Sequence, residues 1–213
     1  MEEGTQPTLA VATQRRSIGG YGAPSWLAAG VLRLFGWTVD VADPIPEKCV
    51  IVMYPHTSNW DFLVGLFTKW AVGLDFKRER LCFAGKESLF SGPWSAFFRA
   101  VGGFPVRRGT ASGFVPQMVE RFASEPRMRF VIAPEGTRSF APHVRSSFYF
   151  VAVAARVPII LGAFDFARKR VVVNAIFTPS GNVDGDLAAI AGYYKTLGNQ
   201  GAKPTMAAPW KFR

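Results

Sequence analysis

Two polar side chains near the start of the chain have the types and the spacing that general base catalysis needs. His56 and Asp61 belong to the segment His-Thr-Ser-Asn-Trp-Asp, which directly follows the apolar run 50–53. That run indicates a strand buried on both faces. An imidazole can take a proton from a hydroxyl, and a nearby carboxylate can hold the ring in the tautomer that does so. Ser58-x-x-Asp61 fits a helix capping box equally well, so both interpretations are open.

A second candidate segment runs from Gly102 to Gly109 and carries Arg107 and Arg108. The planar guanidinium group can donate two parallel hydrogen bonds to a phosphate, and the flanking glycines allow a close backbone approach. This short strand-like piece is therefore a candidate anion site. A solvated basic turn is the commoner role of a lone arginine pair.

A third candidate loop, Pro-Glu-Gly-Thr-Arg, follows the apolar run that ends at Ile132. Glu135, Thr137 and Arg138 can bind the polar parts of a substrate, and Glu135 can also orient Arg108 or Arg138 through charge-assisted bonds. The alternative is a tight structural turn around Gly136.

Composition limits the other classes of function. The net charge of +10 predicts attraction to polyanions, but the arginines lie in separate loops and form no nucleic-acid motif. Two histidines and two separated cysteines give no metal-ligand spacing, and no Gly-x-Ser-x-Gly elbow of a serine hydrolase occurs. Cys49 and Cys82 read as reduced thiols inside strands, and His143 as a surface loop residue.

The order of the elements predicts an α/β fold with a mostly parallel central sheet flanked by helices. Strand patterns occur at 50–53, 81–84, 129–133, 158–163 and 171–176, and helical patterns at 62–70, 90–100, 115–122 and 148–155. Functional groups are expected on loops at the carboxyl ends of the strands. The aromatic run 89–98 is expected mainly in the core, with an acyl tunnel or a lipid contact as the alternative.

We expect residues 1–23 to form a flexible leader and 24–213 a single domain. From Ser25, a candidate N-cap, Leu27, Val31 and Leu34 recur at the spacing of an amphipathic helix with tryptophans near both ends. Packing on its own domain is the first expectation for that helix, and insertion into a membrane interface the second. The apolar runs are too interrupted to span a bilayer, so any membrane contact is expected to be peripheral.

Together these segments resemble the glycerolipid acyltransferase family, typified by 1-acylglycerol-3-phosphate O-acyltransferase. The segment from His56 to Asp61 resembles the His-x4-Asp block of that family, and residues 103–108 and 134–138 are similar to its second and third blocks. The run 157–160 resembles the fourth block. The resemblance covers about residues 26–194 and implies a fold like that of glycerol-3-phosphate acyltransferase.

The resemblance implies a role for each site residue. His56 is expected to be the general base and Asp61 its partner. The acceptor is expected to be a lysophospholipid, and the acyl donor acyl-CoA or an acylated carrier protein, with no permanently bound cofactor. The protein is expected in the cytoplasm, on the anionic inner face of the membrane. The remaining expected site residues are those that bind substrate, Arg107, Arg108, Glu135, Gly136, Thr137 and Arg138, and those of an acyl or acceptor pocket, Asn59, Pro158 and Ile159.

The chain departs from the family pattern at Arg107, where relatives often carry an acidic residue. It also departs at 144–148, where many members show Lys-x-Gly, and in having a single helix in place of a longer N-terminal hairpin. These departures leave two alternatives. One is acylation of another lysolipid or amino-lipid, and the other is a non-catalytic anionic-lipid-binding protein of the same fold.

Overall fold

The computed structural model describes residues 8–74, 81–106, 111–198 and 201–212, and its strands and helices largely alternate. In chain order the elements are β1 (Thr8–Val11), α1 (Ala23–Leu34), β2 (Thr38–Val41), β3 (Lys48–Met53), α2 (Trp60–Ala71), β4 (Leu81–Lys86), α3 (Ser95–Ala100), β5 (Gly103–Val106), α4 (Ala111–Ser124), β6 (Met128–Ile132), α5 (Ser147–Ala155), β7 (Ile159–Asp165), β8 (Arg170–Thr178) and α6 (Val183–Leu197). Short 3-10 turns lie at Glu87–Leu89 and Pro204–Met206.

Within the described residues, eight strands form one sheet in the order β1-β8-β7-β3-β6-β4-β5, with β2 also paired to β8. The five strands from β7 to β5 run parallel to one another, whereas β8 is antiparallel to β7. The predicted α/β fold with a mostly parallel sheet is therefore confirmed. Its central strand is β3, which places the segment after Met53 at the middle of one sheet edge.

Helices cover both faces of the sheet, and β3 shows how the sequence achieves this. Its residues alternate between two apolar clusters, Val50 and Val52 on one side, Cys49 and Ile51 on the other. The first cluster includes side chains of α4, α5 and α6, and the second those of α1 and α2. Because a strand projects successive side chains to opposite faces, a strand covered twice must be apolar throughout, as predicted.

The N-terminal segment differs from the predicted flexible leader. From Thr8 onward it pairs with the sheet, β1 lying antiparallel to β8 with Leu9 opposite Phe177. The Arg16 amide also donates to the Val41 carbonyl at 2.8 Å. The edge of β8 offers free backbone groups, and even a short strand lowers its free energy by pairing with them.

Helix α1 begins earlier than predicted and turns a different face to the core. Ser25 is not the N-cap, since the helix starts at Ala23 and the Ser25 hydroxyl donates to the Ala71 carbonyl at 2.8 Å. The residues of α1 that are buried against α2 are three small ones and one leucine, namely Ser25, Ala28, Ala29 and Leu32. Of the residues that define the predicted stripe, Leu27 and Leu34 face outward, Leu34 being 81% exposed, and Val31 is half-buried. Close helix packing through small side chains is what leaves the larger ones outside.

The aromatic run 89–98 also divides. Phe90 is buried, and Phe98 lies against the Phe62 ring with centroids 6.0 Å apart, as expected of core residues. Leu89, Trp94 and Phe97 are exposed. In this region α3 is shorter than predicted.

None of the helices in the described ranges is both long enough and apolar enough to cross a bilayer.

Candidate active site

The candidate site lies where β3 and β6 end side by side. These strands are parallel, and Val52 pairs with Ile132 in register. His56 follows the last residue of β3 by three positions, and Glu135 follows the last residue of β6 by three. The two loops therefore leave the same sheet edge from neighbouring strands. The first and third of the predicted segments meet there.

His56 and Asp61 form a direct pair. The His56 Nδ1 atom lies 2.9 Å from Asp61 Oδ2, the imidazole is 26% exposed, and the carboxylate is 1% exposed. With Nδ1–H donated to the carboxylate, the Nε2 atom of the neutral ring keeps its lone pair. That nitrogen can accept a proton from a hydroxyl that reaches the partly open side of the ring.

Asp61 also satisfies backbone groups at the start of α2. Its Oδ2 atom accepts the amide N–H of Thr57 at 2.9 Å and that of Ser58 at 3.1 Å. The two interpretations that the sequence leaves open are therefore both realised by one carboxylate. Ser58 does not complete a standard capping box, because its hydroxyl accepts from the Trp60 amide instead.

Glu135 is buried, whereas a residue that binds substrate at the rim of a pocket is exposed. It is 3% exposed, and its Oε1 atom accepts the backbone N–H of His56 at 2.9 Å. Burial raises the pKa of the Glu135 carboxyl to about 7, against the lowering effect of the His56 hydrogen bond and charge. A carboxyl group that ionises near neutral pH thus touches the backbone of the candidate base.

The remaining residues of this loop face solvent. Arg138 is exposed, and its guanidinium donates to the side-chain oxygen of Asn59, which joins the first and third sequence segments. Thr137 is exposed as well. Gly136 has a positive φ of 65°, and a β-carbon placed there would lie 3.4 Å from the Arg145 guanidinium carbon. One guanidinium group thus belongs to this loop and a second one, that of Arg145, lies beside it.

The segment 201–212, which we call the C-terminal strap, crosses the same sheet edge. The Lys203 amide donates to the buried Thr57 hydroxyl at 3.0 Å, and the Val144 amide donates to the Lys211 carbonyl at 2.9 Å. Tyr54 donates to the Ala208 carbonyl at 2.6 Å, in keeping with burial and the Glu135 charge that raise its pKa to about 12. The strap thus holds the loop that carries the candidate base.

Not every predicted site residue comes to this edge. Ile159 is fully buried and pairs with Val50, and the Pro158 carbonyl accepts the Val50 amide. Both lie about four residues along the strand from Tyr54, or about 13 Å, so the structure does not bring them to His56. Arg107 and Arg108 lie outside the described residues.

Two parts of the candidate site are not among the residues predicted from the sequence, namely the C-terminal strap and Arg145. The strap carries no motif, and its contact with Thr57 joins residues 146 positions apart. Arg145 lies in the segment 144–148, where the sequence shows only a departure from the family pattern. Its position just before α5 is a signal for it, because the backbone amides at a helix start favour an anion that a nearby guanidinium can also bind.

The arrangement has the parts of a proton-transfer site, namely a partly exposed imidazole that a buried carboxylate orients. Arg138 joins the neighbouring loop to Asn59 in the same segment as His56. A family model described as Acyltransferase matches residues 37–165, more than half of the 213-residue chain, and contains both loops. Searches of curated proteins and of solved structures gave no significant match. On the strength of the family match, this chain belongs to the acyltransferase family.

Proposed function

We propose that the protein transfers a fatty acyl group from an acyl thioester to the hydroxyl of a lysophospholipid such as 1-acylglycerol-3-phosphate. The observation that carries the proposal is the 2.9 Å contact between His56 Nδ1 and Asp61 Oδ2 beside a partly exposed imidazole. It supports a general base role for His56, with Asp61 as the group that orients the ring.

The proposed chemistry is direct transfer. The acceptor hydroxyl gives its proton to Nε2 of His56 while its oxygen attacks the thioester carbonyl carbon. The tetrahedral intermediate then collapses, the C–S bond breaks, and the imidazolium returns its proton to the leaving thiolate. Asp61 stabilises the imidazolium between these steps. A thioester is already activated, so positioning and proton transfer suffice, and no resident cofactor is required.

Acceptor binding is proposed for the basic rim of the site. Arg138 donates a hydrogen bond to Asn59 in the segment that carries His56, and Arg145 lies against Gly136. These two guanidinium groups are proposed to bind the phosphate of the acceptor while its hydroxyl meets the imidazole. Arg107 and Arg108, which follow β5 in the sequence, are proposed to contribute as well. Guanidinium forks bind phosphate in two-pronged fashion, which favours a phosphate-bearing acceptor.

Contact with the inner face of the membrane is proposed for the outward side of α1. Trp26 is 58% exposed, Leu27 53% and Phe35 63%, and the chain carries a net charge of +10. Large apolar side chains beside basic charge fit insertion into the headgroup region of an anionic bilayer. A lysophospholipid acceptor is delivered from that surface, so peripheral binding and the proposed activity support each other.

The test is an acylation assay with purified protein, using acyl-CoA and acyl-carrier-protein donors and a panel of lysophospholipid, other lysolipid and amino-lipid acceptors. We expect transfer to a phosphate-bearing lysolipid and its loss in His56→Ala. The matched control is His143→Ala, which removes the second histidine of the chain from a loop outside the pair and should retain activity.

Full activity in His56→Ala would remove the catalytic proposal. Salt-sensitive liposome binding without transfer to any acceptor would favour the non-catalytic alternative. Transfer only to an amino-lipid or to an acceptor without phosphate would change the substrate while keeping the mechanism.

A further inference from the structure

Three consecutive backbone N–H groups of the candidate catalytic loop are held by two buried carboxylates. Glu135 accepts the amide of His56 at 2.9 Å, and Asp61 accepts the amides of Thr57 and Ser58 at 2.9 and 3.1 Å. These amides take no part in a helix or strand, so a buried loop needs acceptors of this kind to satisfy them. The loop is therefore fixed from two sides, by β6 through Glu135 and by α2 through Asp61.

Only one of these carboxylates touches the imidazole. Asp61 contacts Nδ1 of the ring, whereas Glu135 accepts the backbone N–H of His56. The direction of a side chain follows from the backbone that carries it as well as from its own partners. Holding the ring at one nitrogen fixes its rotation, and holding the amide fixes the point from which the ring projects.

The setting of Glu135 differs from that of a substrate ligand. Its carboxylate is 3% exposed, whereas its neighbours Thr137 and Arg138 face solvent. Among the described residues it forms no ion pair with a lysine or arginine, and its Oε2 atom has no hydrogen-bond partner. Burying a carboxylate without an ion pair is unfavourable. The hydrogen bond from the His56 amide to Oε1 therefore offers a reason for this buried carboxylate.

We propose that Glu135 is a positioning residue, which fixes the backbone of His56 and so keeps the imidazole in the orientation that accepts the acceptor's proton. This inference rests on the proposed acyl transfer and assigns Glu135 to orientation of the base, in place of acceptor binding.

The test compares two substitutions of similar size. Glu135→Gln keeps a carbonyl oxygen that can accept the His56 amide, and Glu135→Met fills the same space without an acceptor. We expect Glu135→Gln to retain kcat within about fivefold, because a neutral acceptor replaces a charged one. We expect Glu135→Met to lower kcat by about 100-fold through misplacement of the ring, with the acceptor KM unchanged in both.

A second readout does not depend on turnover. Residue-resolved amide hydrogen exchange should show protection of the His56 amide in wild type and in Glu135→Gln. In Glu135→Met exchange at that amide should be at least about 10-fold faster. The matched control is Asp186→Asn, which alters another fully buried carboxylate that accepts from the Ser180 amide at 2.7 Å at the start of α6. It should leave both kcat and the exchange of the His56 amide unchanged.

A raised acceptor KM at constant kcat in Glu135→Gln would identify a substrate ligand and overturn the proposal, and this outcome can be read even if Glu135→Met does not fold. Equal exchange at the His56 amide in wild type and a folded Glu135→Met would also overturn it. If wild-type protein transfers no acyl group, the proposed function fails, while the exchange experiment still decides whether Glu135 holds this amide.

Discussion

Glu135 makes the stability of the fold depend on pH in a way that one substitution should remove. The carboxyl is 3% exposed, and burial raises its pKa from an ordinary 4.5 to about 7. The titratable groups around it are Tyr54 and His56 after β3, Asp61 of α2 and Tyr194 of α6. Glu135→Gln replaces the ionisable group with an amide of the same shape that keeps the hydrogen-bond acceptor.

The raised pKa of Glu135 determines whether stability rises or falls with pH. A carboxyl with a raised pKa in the folded state binds its proton more tightly when folded than when unfolded. Its contribution to stability is therefore fully present below pH 4.5 and is lost as pH rises to about 7. A difference of about 2.5 between the two pKa values corresponds to about 3 kcal/mol of unfolding free energy.

The assay is urea unfolding followed by tryptophan fluorescence at pH steps from about 4.5 to 8 for wild type and Glu135→Gln. The stability of the variant relative to wild type should rise by about 3 kcal/mol across this range, since groups common to both proteins largely cancel in the difference. Thr57→Val serves as a control. It removes the buried hydroxyl that accepts from Lys203 but no ionisable group, so its stability should differ from wild type by an offset independent of pH.

Parallel curves for wild type and Glu135→Gln would refute the reasoning, because they would show that Glu135 ionises equally readily in the folded and unfolded chain. A rise of the Thr57→Val difference with pH would show that the effect comes from loosening the loop and not from the carboxyl.

Three further outcomes are expected. Asp61→Asn should lower kcat by at least about 100-fold, because the amide no longer holds the His56 ring in the accepting tautomer, and unchanged kcat would contradict this. Arg138→Ala should raise the acceptor KM by about 10-fold with kcat nearly constant, and steady-state kinetics over a range of acceptor concentrations will show whether kcat falls instead. Replacing both Trp26 and Leu34 with serine should weaken sedimentation with anionic liposomes by about 10-fold or more, and wild-type binding should itself decline with salt. Equal sedimentation of wild type and this variant would exclude α1 as the contact surface.

The sequence predicts those features that local pattern determines. The continuous apolar run of β3 indicates a doubly covered strand, and the polar segments that follow β3 and β6 indicate loops at one sheet edge. The pairing of His56 with Asp61 could also be proposed, since both residues belong to one short segment. Its equal fit to a capping box could not be resolved, because both roles use the same carboxylate oxygen.

Features set by distant contacts could not be predicted in this way. The burial of Glu135 depends on how the β6 loop packs against the β3 loop, which nothing in its own segment reveals. Helix α1 buries Ala28 and Ala29 and exposes Leu34, the reverse of what apolar periodicity indicates, because close packing on α2 favours small residues. The resemblance predicts Pro158 and Ile159 as pocket residues, yet Ile159 lies in the core opposite Val50 and Pro158 directly precedes β7.

The C-terminal strap has a consequence for the order in which the protein matures during translation. The hydroxyl of Thr57 receives its hydrogen bond from residue 203, and the ring of Tyr194 stacks on Trp210 with centroids 4.7 Å apart. A nascent chain can assemble its parallel strands while these partners are still inside the ribosome. The loop bearing His56 gains its last anchors only after the strap emerges, so the growing polypeptide is expected to acquire its native sheet before it acquires a competent site.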